Sequence, residues 1–235
     1  MDREIVEQLS RQSLWLKDSW LWLMREKVLG PDTRTALEVG CGAGHVMSVM
    51  SELLDVKGVD INADMVSICR ERELDAVIGN ACDLPFEDGS FDVVYCSFLL
   101  LWLREPDEAL AEMARVSRRW VVALAEPDYG ARIDHPPELE RLGGLLVEDL
   151  IERGADPFIG RKLREVYFKG GLWPEVGVHQ GVWPMERAAR EARFELRFAD
   201  EGSRADLEKA IQNAAEECSL LQYNPVFWAV AEKYK

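Results

Sequence analysis

The chain has 235 residues, 48% of them hydrophobic, enough to fill the core of one domain without metal or disulfide staples. Its 28 basic against 43 acidic residues leave a formal charge of -15, which repels a phosphate backbone and excludes nucleic acid as the expected main partner. Cys41, Cys69, Cys82, Cys96 and Cys218 form no C-x-x-C pair, the N-terminus lacks a secretion-signal layout, and no stretch has the length of a membrane span. A cytoplasmic protein with free thiols and no membrane partner is the expectation.

Residues 4 to 29 read as helix. Leu16, Trp20, Leu23 and Met24 share one face, while Trp15 and Trp22 fall on the side that also carries Arg11, Asp18 and Arg25. A helix apolar on several sides needs several neighbours, so it is expected to pack on the domain and cover part of a pocket. A partner-binding helix is the other reading.

After the turn "GPDTRT", short apolar runs alternate with helical patterns. "ALEV" precedes a helix at 44 to 54, "VKGVD" one at 63 to 72, and "DAVIG" a loop. "FDVVYCS" precedes a helix at 106 to 118, and "RWVVALAEP" follows it. This alternation predicts an α/β protein whose parallel sheet is covered on both faces. Beyond Pro127 the pattern predicts helices within 136 to 154 and 157 to 171, a strand at 174 to 183, a charged helical region at 186 to 217 and a final strand at 225 to 233. The whole reads as one domain: a helical cap (1–30), a core (31–128), helices and a sixth strand on the substrate side (129–222), and a last strand (223–235).

The stretch "EVGCGAGH", residues 38 to 45, places Gly40, Gly42 and Gly44 between a strand and a helix. Such glycines permit a tight turn and bring bare N–H groups against a ligand at the positive end of the helix, as nucleotide-type cofactors require. A dinucleotide fingerprint would have its third glycine where His45 stands, which disfavours a nicotinamide cofactor. Asp60 ends the second strand, where a carboxylate accepts both hydroxyls of a ribose; an ordinary turn aspartate is the alternative.

The ordered set "LEVGCGAG", "GVDIN", "NACDLPF" and "DGSFDVVYC" resembles the class I S-adenosylmethionine-dependent methyltransferases, in particular the ubiquinone-biosynthesis-like group acting on small molecules. The likeness covers about residues 35 to 128. It implies a Rossmann-like, doubly wound seven-stranded sheet, mostly parallel, with an antiparallel last strand beside the fifth. It also implies S-adenosyl-L-methionine as cofactor and S-adenosyl-L-homocysteine as product. The loop from Glu38 through Gly40, Cys41 and Gly42 to Gly44 would lie along the methionine part, Asp60 would hold the ribose, and Ile61 would pack on the adenine face. Asn80 and Ala81 stand where the family often has Asp-Ala at the adenine edge; an asparagine carbonyl oxygen can still accept from the adenine amino group. Ser97 and Phe98 would border the transferring methyl group.

Methyl transfer from a sulfonium is an in-line displacement that asks the protein for alignment, exclusion of water and, for hydroxyl or ammonium acceptors, removal of a proton. Glu126, Asp128 and Tyr129 in "AEPDYG" stand at the carboxyl edge of the sheet as candidates near the acceptor, or as a capping cluster around Pro127; no catalytic residue is assigned. His135 and His179 are isolated, His45 belongs to the helix after the glycines, and no metal is expected. Trp15, Trp20, Trp102, Phe158, Tyr167 and Trp173 offer apolar walls for a flat or apolar acceptor, or core packing. No "NPPY"-like motif and no Pro-Cys nucleophile follows the fourth strand, which argues against amino methylation of bases or glutamine and against pyrimidine C5 chemistry. Two rivals are a nicotinamide-dependent oxidoreductase and a catalytically silent domain that binds the cofactor or a partner. The acceptor, the methylated atom and the oligomeric state, a homodimer included, stay open.

Overall fold

The computed structural model describes residues 15–179 and 181–233. Residues 15–23 form helix α1, which continues as a wider turn over Met24–Val28. Residues 4–14 of the predicted helix lie outside the described residues. The alternating core follows as β1 (Thr35–Val39), α2 (His45–Met50), β2 (Asp55–Asp60), α3 (Ala63–Glu71), β3 (Ala76–Ile78), β4 (Phe91–Ser97), α4 (Pro106–Val116) and β5 (Ser117–Pro127). Local chemistry sets several boundaries. Asn62 caps α3 by accepting the N–H groups of Asp64 and Met65, and Pro106 opens α4, where its missing N–H costs nothing.

The remainder comprises β6 (Ile133–His135), α5 (Glu140–Glu152), α6 (Ile159–Lys169), β7 (Glu175–Val178), α7 (Met185–Glu195), α8 (Glu201–Glu216), β8 (Leu221–Tyr223) and β9 (Val226–Glu232). The main sheet has seven strands in the order β3-β2-β1-β4-β5-β9-β7. The last strand, β9, runs antiparallel between β5 and β7, and the other pairings are parallel. The expected seven-stranded α/β sheet is therefore present, and its order reverses between β1 and β4, the place where open α/β sheets bind ligands.

Both faces of the sheet are covered, which is why β4 reads as a nearly continuous apolar run. Val93 and Tyr95 enter the core under α1, α2 and α3, whereas Val94 and Cys96 enter the one under α4 and α6. From α1, Trp20, Leu23 and Met24 are wholly buried, while Trp22 is exposed. A third, smaller core joins α5, α7 and α8 through Leu142, Ala188, Ala192 and Ile211. Beside it, β6 and β8 form a separate antiparallel ribbon that the sequence pattern does not announce.

Three expected elements are shorter than their patterns. Helix α2 ends at Met50 rather than 54, in turns where the hydroxyl of Ser51 bonds back to the carbonyl of Met47. Strand β7 stops at Val178, because His179 turns inward and its Nε2 lies 2.6 Å from the carbonyl of Leu124. The region 186–217 breaks into α7 and α8, with Asp200 capping the second helix through the N–H of Ser203.

Candidate functional site

The turn after β1 is fastened to β2, since the N–H groups of Gly40 and Cys41 both donate to the carbonyl of Val59, at 2.8 and 3.1 Å. The N–H of Gly42 donates to Oδ2 of Asp60 at 2.8 Å, and the N–H of Asn62 donates to Oδ1 at 2.8 Å. The carboxylate of Asp60 thus bridges the glycine turn and the start of α3. Gly42 has φ +50° and open space where a side chain would stand. Gly44 has φ +75°, but a side chain there would run into Leu74 and Cys69, so this glycine serves the packing of α2 on α3 rather than the open surface.

Above the turn lies a cleft of about 220 Å3 bordered by Trp20, Glu38, Gly42, Asp60, Ser97 and Trp102. Gly40 and Cys41 also line it, whereas Gly44, Ile61, Asn80 and Ala81 do not. Ile61 is 74% exposed just beyond Asp60, which puts a bare apolar side chain at the rim. Oδ1 of Asn80 accepts the N–H of Cys82 at 3.1 Å, so one of its two lone pairs is spent on its own turn.

Glu38 is buried and accepts the hydroxyl of Tyr95 at Oε2, 3.1 Å away. Burial holds its pKa well above the usual carboxylate range. Trp20 Nε1, His45 Nε2 and Ser97 Oγ are buried with no hydrogen-bond partner among the described residues, and all three residues line the cleft. Arg72, which also donates to the carbonyl of Ala43, lies 3.4 Å from Nδ1 of His45. A guanidinium only donates, so Nδ1 accepts and Nε2 carries the proton. Burial, then the charge of Arg72, lowers the pKa of this histidine and so favours the neutral ring. The cleft therefore presents two N–H donors and a hydroxyl beside a buried carboxyl.

A second recess, an aromatic cavity of about 160 Å3, lies between α1, the segment before α7, and α7 itself; Trp15, Phe98, Tyr129, Trp183, Arg187 and Phe194 are on its wall. Phe98 borders both spaces. Its φ of +52° is unusual for a bulky residue, and its N–H is held by the carbonyl of Ala125 at 2.7 Å.

Two candidates near the acceptor are elsewhere engaged. Glu126 is fully buried and accepts the N–H groups of Leu99 and Leu100, both at 3.0 Å, so it braces the turn after β4. Its burial pushes the pKa up to about 7. Asp128 takes a two-pronged bond from Arg161, at 2.6 and 2.7 Å. Neither borders the cleft or the cavity, whereas Tyr129 does border the cavity. Of the six expected aromatic walls, Trp20 and Trp102 face the cleft and Trp15 the cavity. Phe158 lies beneath Arg161, Tyr167 is core, and Trp173 is exposed with its ring edge against Phe168.

Trp183, Arg187 and Phe194 were not among the expected site residues. A signal for them does exist: Arg187, Glu191 and Glu195 recur every four residues, a polar stripe on one helix face, and all three border the cavity. Glu195 is neutralised there by Arg132, which also grips Asp134 and so ties α7 to the β6–β8 ribbon.

Residues 37–121 match the methyltransferase domain family. A demethylmenaquinone methyltransferase of Renibacterium salmoninarum is 35% identical over 118 residues, 47% of this chain and 50% of that protein. A phosphatidylethanolamine N-methyltransferase of Cereibacter sphaeroides is 33% identical over 91 residues, 35% of this chain and 45% of that one. The chain spans about half the length of the curated relatives it matches. Among solved structures, Haemonchus contortus phosphoethanolamine N-methyltransferase 2 in complex with S-adenosyl-L-methionine superposes with a TM-score of 0.60 at 15% identity, over 93% of this chain and 53% of that one. Residues 37–121 are thus similar to the methyltransferase domain family, and the fold around them is the one seen in solved S-adenosylmethionine-dependent methyltransferases.

Proposed function

We propose that the chain transfers a methyl group to a small-molecule acceptor bound in the aromatic cavity, with S-adenosyl-L-methionine in the cleft. The observation that carries this reading is the juxtaposition of the two spaces across Phe98. A reaction between two molecules needs two adjoining sites with the reacting atoms at their boundary. When bound, S-adenosyl-L-methionine supplies an electrophilic sulfonium methyl group, and in-line attack on it forms the new bond to the acceptor as the carbon–sulfur bond breaks.

The residues present fit that cofactor. The open face of Gly42 admits a close approach to the backbone, and Asp60 keeps lone pairs for ribose hydroxyls beyond its two amide bonds. Ile61 at the rim offers an apolar face for adenine. The Nε1 donor of Trp20 and the Nε2 donor of His45 suit the amino-acid carboxylate, and Glu38 suits its ammonium group. Ser97 and Phe98 close the methyl end, where Phe98 restricts water and orients the acceptor.

Calorimetric titration with S-adenosyl-L-methionine, S-adenosyl-L-homocysteine and NAD in parallel tests the proposal. Micromolar binding of the first two and none of the third is expected. Binding of NAD alone, or of none of the three, overturns it.

A further inference from the structure

Arg115, Arg132 and Arg161 each use the Nε–Nη2 edge of the guanidinium in the same way. Arg115 closes this edge on Glu112 at 2.7 and 2.8 Å, Arg132 on Asp134 at 2.7 and 2.9 Å, and Arg161 on Asp128 at 2.6 and 2.7 Å. In Arg187, on the wall of the aromatic cavity, the same two atoms are buried and meet no hydrogen-bond partner among the described residues. The guanidinium lies 4.3 Å from the ring centroid of Trp15 and 5.1 Å from that of Trp183. Those indoles fix the group by cation–π contact without satisfying its N–H bonds.

The two carboxylates on the same face of α7 do not close the edge. Glu195 is committed to Arg132 and Gln222, and Glu191 lies 3.5 Å from Nε of Arg190. We propose that the acceptor is a ring-bearing organic acid whose carboxylate takes the Nε–Nη2 edge of Arg187 while its apolar body packs on Trp15, Trp183 and Phe98. The inference rests on the methyltransferase reading and narrows its substrate class. A desolvated cation with two parallel donors gains most from a planar two-oxygen anion. A neutral or cationic acceptor leaves the buried N–H groups unpaired. Desolvation lowers the pKa of Arg187 to about 10, so the group keeps its charge at neutral pH. Because Arg187 borders the cavity and not the cleft, the carboxylate is the anchor and another atom of the acceptor takes the methyl group.

The test titrates the full chain, saturated with S-adenosyl-L-homocysteine, with 2-naphthoate, its neutral analogue 2-naphthamide, and 2-naphthyl phosphate. The naphthoate is expected to bind at least about tenfold more tightly than the amide, and Arg187→Gln should bring the two to similar affinity. Retained amide binding in that variant shows that the cavity is intact. If the variant loses the amide as well, Arg187→Lys decides, because it keeps the charge and removes the fork: the naphthoate should weaken several-fold with the amide unchanged. Equal binding of acid and amide by the wild type, an acid preference that survives both variants, tighter binding of the phosphate, or no binding of any probe at millimolar concentration overturns the proposal. A separate titration with S-adenosyl-L-homocysteine keeps the two readings apart. Binding of that product without an acid preference removes only the organic-acid assignment, while an acid preference without cofactor binding removes the methyltransferase reading.

Discussion

The carboxylate of Asp60 accepts the N–H of Gly42 at 2.8 Å, which couples the end of β2 to the middle of the glycine turn. Removing this side chain takes away the carboxylate proposed to accept the ribose hydroxyls and at the same time frees the amide that shapes the turn. Asp60→Ala is therefore expected to weaken S-adenosyl-L-homocysteine binding by roughly 1.5–3 kcal/mol, about 10- to 150-fold in Kd. Calorimetry on the folded variant reads this directly, and an unchanged Kd would take Asp60 out of the cofactor site.

Gly42 and Gly44 share a left-handed backbone but differ in what surrounds them. A methyl group on Gly42 enters open space on the cleft wall, whereas one on Gly44 overlaps Leu74 and Cys69. Gly42→Ala should cost roughly 1 kcal/mol of stability through backbone strain and abolish detectable cofactor binding. Gly44→Ala should cost roughly 2 kcal/mol or more, because overlap adds to strain. Urea unfolding and calorimetry on both variants separate the two effects; equal loss of stability would contradict the assignment of Gly42 to the ligand face.

The parallel core was readable because strands buried on both faces carry near-continuous apolar runs, as in Val93 to Cys96, and because turn chemistry separates them. The glycine turn and Asp60 were readable for a related reason: their positions follow from strand ends alone. What Glu126 touches does not follow from strand ends. A carboxylate at the carboxyl edge can face a ligand or a backbone turn, and the approach of Leu99 and Leu100 decides in favour of the turn. The cavity face of α7 was hidden because its inward stripe is charged, and Arg187 looks like a solvated residue until Trp15 and Trp183 close on it.

Burial raises the pKa of Glu126 from 4.5 to about 7, so its ionised form is disfavoured in the folded chain. The stabilising contribution is fully present below the unfolded pKa and is lost as pH rises through the folded one. Relative to Glu126→Gln, the wild type should thus lose roughly 3 kcal/mol between pH 4 and pH 8, with most of the change between pH 5 and pH 7. Urea titrations across this range test the slope; parallel stability curves for the two proteins would show that Glu126 does not titrate in this window.

Glu38 provides a signature of cofactor binding that needs no acceptor. Burial holds its pKa well above the usual range in the free protein, and the hydrogen bond from Tyr95 only partly offsets that effect. An ammonium group placed beside it favours the carboxylate and lowers the pKa in the complex. Binding should then release a proton over the pH range between the bound and free pKa values, and affinity should rise with pH across that range. Calorimetry in buffers of different ionisation enthalpy measures the release, and Glu38→Gln should abolish it while weakening binding about tenfold or more. If the wild type and Glu38→Gln bind S-adenosyl-L-homocysteine with the same proton count, the ammonium group is not paired with Glu38, and the amino-acid end of the cofactor lies elsewhere in the cleft.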